Sequence, residues 1–70
     1  MYLFDFLFTL QPDIYVRIKF IGEPNTYCFR TGRRSTGKAV SDLSKQKKDN
    51  VKVHNVYCLW HAQELYIECS

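Results

Sequence analysis

The segment Ile14-Tyr15-Val16-Arg17-Ile18-Lys19-Phe20 alternates without a break. Ile14, Val16, Ile18 and Phe20 are apolar, and Tyr15, Arg17 and Lys19 between them carry polar or charged tips. A period of two marks a strand with one face buried and the other wet. Such a strand needs neighbours to pair with and a layer to cover its apolar side. With 70 residues, the chain must supply both from within one domain spanning residues 1–70.

The cover is expected on the N-terminal side. Leu3, Phe6, Leu7 and Leu10 stand at i, i+3, i+4 and i+7, the stripe of an amphipathic helix, with Asp5 and Thr9 off it. Phe4, Phe6 and Phe8 also alternate as in a strand, but Leu3 and Leu7 would make both faces of that strand apolar. The helix is therefore preferred, and Pro12 ends it by disfavouring helical geometry at Gln11.

The neighbours come later. Gly22, Pro24 and Asn25 supply turn chemistry, so Thr26 to Arg30 reads as a second strand hairpin-paired with the first. Gly32 to Gly37 reads as a loop. Residues 38–47 read as a short helix with Ala39, Val40 and Leu43 on its inner side, capped by Ser35 or Thr36. Lys47 and Lys48 suit the negative end of its dipole. Val51 to Trp60 reads as a third strand, whose alternation is restored by a bulge near His54-Asn55. His61 to Glu64 is a turn, and Leu65 to Cys69 is the last strand.

The expected fold is α+β, with element order α-β-β-α-β-β. A small antiparallel sheet of about four strands carries one or two short helices on one face. The expected inward set is Leu3, Leu7, Leu10, Ile14, Val16, Ile18, Phe20, Val40, Leu43, Val53, Leu65 and Ile67.

Hydrophobic residues make up 46% of the chain, which argues against disorder. A domain this small buries only about 60% of the surface its unfolded chain exposes, so its stability is marginal. Five Tyr, five Phe and one Trp exceed what so small a core absorbs, and exposed aromatics imply a partner. A protein partner is the first expectation, and a homodimer is one form of it. Cys28, Cys58 and Cys69 are odd in number, which favours reduced thiols in a cytoplasmic setting over a disulfide framework. The opening "MYLFDFLFTL" lacks the basic start and the cleavage site of a signal peptide. It also falls short of the roughly 20 apolar residues that span a membrane, so no membrane association is expected.

Charge is uneven. Arg30, Arg33, Arg34, Lys38, Lys45, Lys47 and Lys48 face only Asp42 between residues 30 and 48. That segment carries +6 in a chain of net +3, leaving −3 for the remainder. Within it, Gly32-Arg33-Arg34-Ser35-Thr36-Gly37-Lys38 has the G-x-x-x-x-G-K spacing of a phosphate-binding loop. That motif needs a Ser or Thr after the Lys to hold Mg²⁺, and Ala39 stands there instead. The chain is also too short for the parallel sheet with crossover helices that houses such loops. A basic loop matching by chance is the preferred reading. The seven cations remain candidates for contacting anions or nucleic-acid phosphates, with Tyr15, Tyr27 and Trp60 as stacking or interface partners.

Metal and catalytic readings find little support. Cys58-Leu59-Trp60-His61 is a Cys-x-x-His pair that Cys28, Cys69 and His54 could supplement, but zinc favours four Cys or His ligands in two closely spaced pairs, and only one such pair exists here. Cys28 or Cys58 with His54 or His61 has the residue types of a nucleophile and base, but no motif positions them. No cofactor, metal or catalytic residue is expected.

The pattern resembles a family of short uncharacterised proteins encoded by phages and prophages of Gram-positive bacteria. Members begin with a Leu-rich helix of the kind in "YLFDFLFTL", followed by a strand like "PDIYVRIKF". A Gly-containing middle leads to a small helix ending in Leu, here "GKAVSDL", and a closing hairpin of the "LYIEC" kind. The resemblance implies a cytoplasmic accessory protein in a bacterial host, working by binding. The expectation is thus a non-catalytic binding protein acting through protein–protein contacts. The alternative is a nucleic-acid-binding module using residues 30–48.

Overall fold

The computed structural model describes residues 1–59 and 62–70. Helix α1 (Leu3–Phe8) is followed by strands β1 (Tyr15–Phe20) and β2 (Thr26–Arg30). Helix α2 (Arg33–Lys45) and strands β3 (Val53–Leu59) and β4 (Glu64–Cys69) complete the chain. This is the α+β order expected from the sequence.

Among the described residues the strands form one four-stranded sheet in the order β2-β1-β4-β3. The β1–β2 and β3–β4 hairpins are antiparallel. The central pair, β1 with β4, is parallel, from Tyr15 opposite Glu64 to Phe20 opposite Cys69. The sheet is therefore mixed and not antiparallel throughout. A parallel neighbour requires a crossover connection, and α2 provides it between the two hairpins.

The strongest alternation in the sequence lies at the centre. Val16, Ile18 and Phe20 of β1 and Leu65, Ile67 and Cys69 of β4 form one buried layer, closed by Leu3 and Leu7 of α1 and Leu43 of α2. Both helices thus cover the same face. Leu10, Ile14, Val40 and Val53 of the expected inward set pack at its margin, and Ala39 and Cys69 join the buried set. On β2 the inward residues are Tyr27 and Phe29, opposite Ile18 and Val16.

Helix α2 starts at Arg33, so the segment read as a loop forms its first turns. Gly and paired Ser/Thr are weak helix formers, but here short-range side-chain bonds at the helix start offset that propensity. Ser35 Oγ donates to the Arg30 carbonyl at 2.6 Å, and the Gly32 N–H donates to Thr36 Oγ1 at 3.2 Å. Neither hydroxyl caps the helix in the usual sense, since no side chain bonds from the N-cap, Gly32.

Thr31, 3% exposed, fastens the preceding loop. Its hydroxyl donates to the Gln11 carbonyl at 2.6 Å and accepts from the Ile14 N–H at 2.9 Å. Asp13 between them adopts a positive φ of 66°, which Asp tolerates better than most residues. The expected bulge in β3 falls between Val53 and Asn55. It moves Asn55, Tyr57 and Leu59 to the face away from the helices, opposite Glu68, Tyr66 and Glu64.

Candidate functional site at the outer edge of β3

β3 ends the sheet on one side, and its backbone groups can be followed strand by strand. Ser70 exchanges both of its backbone bonds with Lys52, at 3.0 and 2.9 Å, whereas the Cys69 carbonyl accepts from Ile21 on the opposite side at 2.8 Å. Along a strand, successive residues direct these groups to alternate sides. Glu68, Tyr66 and Glu64 therefore bond toward β3, and their partners Asn55, Tyr57 and Leu59 bond back. Val56 and Cys58 are left with N–H and C=O groups aimed out of the sheet. At its start the edge is occupied: Val53 N–H donates to the Met1 carbonyl and Leu3 N–H to that of Val51. From Asn55 to Leu59, no strand among the described residues pairs with it.

The side chains there carry no charge. Asn55-Val56-Tyr57-Cys58-Leu59 contains no Lys, Arg, His, Asp, Glu or Pro. Val56 is 39% exposed, Tyr57 48% and Leu59 39%. Natural sheets usually blunt such an edge with charge, proline or a covering segment. β2, the other edge, has Arg30 at its end and α2 packed beside it.

Tyr57 is held in place. Its ring centroid lies 6.0 Å from that of Tyr66 across the strand pair, the planes tilted by 52°. Hydrogen bonding to the Glu68 carboxylate, and then the carboxylate's charge, raise the Tyr57 hydroxyl above its ordinary pKa. Asn55 Nδ2 also reaches Glu68, at 3.4 Å.

The remaining open face mixes charges and rings. Tyr15, Arg17 and Lys19 of β1 stand between Arg30, Cys28 and Thr26 of β2 and Glu64, Tyr66 and Glu68 of β4. Arg17 Nε lies 3.1 Å from Glu64 Oε1, and the carboxylate raises the guanidinium pKa. Tyr15 is raised as well, chiefly by hydrogen bonding to Cys28.

The seven cations proposed from the sequence do not converge. Arg30 lies on the open face opposite Tyr15, its Nη1 3.2 Å from the Asp13 carbonyl. Arg34, Lys38 and Lys45, spaced by four and seven, line the solvent side of α2 opposite buried Thr36, Ala39 and Leu43. Arg33 is exposed at the start of that helix, and Lys47 is exposed just beyond its end. Lys48 folds inward, paired with Glu23 and seated 4.5 Å above the Phe20 ring. The helices and the open face occupy opposite sides of the sheet, so the α2 cations stand apart from Tyr15.

Of the stacking candidates, Tyr15 is on the open face. Tyr27 is on the helix side, its hydroxyl 3.1 Å from Asp42 Oδ2. Trp60 lies outside the described residues, as does His61. The lysine of the G-x-x-x-x-G-K spacing, Lys38, sits more than a turn into α2 and is exposed there, not at the end of a phosphate loop.

Cys28 and Cys58 are exposed and Cys69 is buried, where desolvation pushes its thiol up to about 11. Among the described residues no three His, Cys, Asp or Glu side chains gather where they could hold a metal ion. No helix among them is long and apolar enough to cross a membrane.

No protein-family model, curated protein or solved structure matches the chain. The β3 edge was legible in the sequence only as an uncharged run, since its place at the rim depends on the strand order.

Proposed function

We propose that this chain is a non-catalytic binding protein that acts through protein–protein contacts, with the outer edge of β3 as its docking surface. The observation that carries the reading is the exposed run from Asn55 to Leu59, uncharged and with outward backbone groups at Val56 and Cys58. An extended segment of another chain laid along such an edge gains main-chain hydrogen bonds, and alternate side chains supply selectivity. Tyr57 and Leu59 offer contacts on one face, and Val56 and Cys58 on the other. This is the behaviour expected of a small accessory protein of the phage type that the sequence pattern resembles, working in a bacterial cytoplasm.

The alternative, a nucleic-acid-binding module, draws its support from Arg34, Lys38 and Lys45 on α2. Its stacking partners would have to come from elsewhere, because those cations lie across the sheet from the open-face tyrosines.

The two readings separate in an affinity capture with three baits: the wild type, Val56→Pro, and the triple variant Arg34→Gln, Lys38→Gln, Lys45→Gln. Proline at position 56 removes an N–H aimed at solvent, which an edge strand tolerates. Val56→Lys serves as a second edge variant. A protein should be captured by the wild type and the triple variant but lost from both edge variants. Edge variants that keep every partner, or a triple variant that loses them, would contradict it.

A further inference from the structure

We propose that the first occupant of the β3 edge is a second copy of this chain, paired antiparallel about a two-fold axis at Tyr57. The proposal rests on the reading of β3 as the docking edge, and it names the partner and the register.

The outward backbone groups limit the registers. They belong to Val56 and Cys58, so an antiparallel partner must meet the edge at those two residues. A copy of the same strand uses all of them at once when Val56 of one protomer faces Cys58 of its partner. Tyr57 then stands opposite the partner's Tyr57, in the closer, non-hydrogen-bonded type of pair. Asn55 stands opposite the partner's Leu59 on the same face. Two sheets of order β2-β1-β4-β3 become one continuous sheet of twice the width.

The side chains are compatible with their own image. Each copy contributes Val56 and Cys58 to the helix side of the seam, and a tyrosine pair forms at its centre on the open face. Aromatic and β-branched cross-strand pairs stabilise such seams, whereas like charges placed opposite each other destabilise them. No charged residue enters between Asn55 and Leu59.

Charge on the rest of the molecule selects the same edge. The segment with +6 runs from β2 through α2. β2 lies at the other rim, three strand spacings or about 14 Å away across the sheet. Pairing two copies at β2 would crowd Arg30 and the α2 cations together. Pairing them at β3 keeps the two basic segments at opposite ends of the assembly. Self-pairing also covers an edge that would otherwise invite aggregation, and an incoming partner strand would have to displace it.

The seam makes a register-specific test possible. Non-hydrogen-bonded antiparallel partners have Cα atoms about 4.5 Å apart, within the span that a disulfide bridges. In a Cys28→Ser, Cys58→Ser background, Tyr57→Cys is expected to oxidise to a disulfide-linked dimer under mild oxidant. Asn55→Cys in the same background is expected to remain unlinked, because its partner is Leu59. In parallel, sedimentation of the unmodified wild type should give a dimer of twice 8.3 kDa. Tyr57→Lys should weaken that dimer at least about ten-fold, with unchanged circular dichroism. A wild type that stays monomeric up to millimolar concentration overturns the proposal. So does a dimer that is indifferent to Tyr57→Lys, or one that cross-links equally through position 55. The function reading fails separately: it falls if the edge variants keep every captured partner, whatever the oligomeric state.

Discussion

The hydroxyl of Tyr27 lies 3.1 Å from the Asp42 carboxylate, joining the edge strand β2 to the last turn of α2. This bond uses up the one acid of the basic segment and turns a candidate stacking residue into a structural one. Burial, and then the bond to Asp42, raise the Tyr27 hydroxyl pKa. Tyr27→Phe keeps the ring packed against Phe29, with centroids 6.1 Å apart, and removes only the donor. The expected loss is about 1 kcal/mol, read by urea denaturation. Asp42→Asn retains an acceptor and should cost less.

Cys69 predicts a pH dependence. Its thiol, fully buried in the sheet, is pushed from 9.0 up to about 11. Between those values the unfolded chain has released its proton while the folded chain still holds it. Fewer protons bound in the unfolded state means that stability falls as pH rises. It is complete below pH 9, and roughly 2 kcal/mol is lost by pH 11. The raised hydroxyl of Tyr27 has the same sign and adds to the fall above pH 10. Thermal melts from pH 8 to 11 should show this slope, and Cys69→Ala should flatten its lower half.

The cations on α2 are expected to contribute little to stability. Arg34, Lys38 and Lys45 are exposed and make no ion pair among the described residues. The triple Gln variant should remain within about 0.5 kcal/mol of the wild type per position. Calorimetry with Mg-ATP should give no saturable heat in the micromolar range, since the residues that would cradle phosphates are turns of a helix. Anisotropy with labelled single- and double-stranded nucleic acid should show no tight binding near physiological salt. A steep loss of binding with salt that also disappears in the triple variant would instead favour the nucleic-acid reading.

What could be read in the sequence was local. β1 alternates strictly, so its faces were assigned from the residues alone, and the bulge at Val53–Asn55 followed from the same rule. β2 alternates too, Tyr27 and Phe29 against Thr26, Cys28 and Arg30, but Tyr is at home on either face, and reading Tyr27 as a stacking candidate left its inward side unassigned. The true start of α2 was hidden because Gly37 and the Ser35-Thr36 pair argue locally against helix, and the bonds that reverse this come from Arg30 and Gly32. The parallel β1–β4 pair was hidden for a different reason. It joins the first and last strands, and its direction is set by how α2 crosses the sheet, not by any residue within the strands. The site depended on that same non-local fact, because an uncharged strand becomes a docking edge only when it lies at the rim.

Amide hydrogen exchange by NMR, residue by residue along β3 in dilute protein, is the most direct test of this account. Tyr57 and Leu59 should be protected by their bonds to β4, whereas Val56 and Cys58 should exchange at nearly the rate of an open chain. The latter two should slow only when concentration drives an edge partner into place. Equal protection at all four positions in the dilute monomer would mean that the edge is already covered, and the docking surface proposed here would not exist.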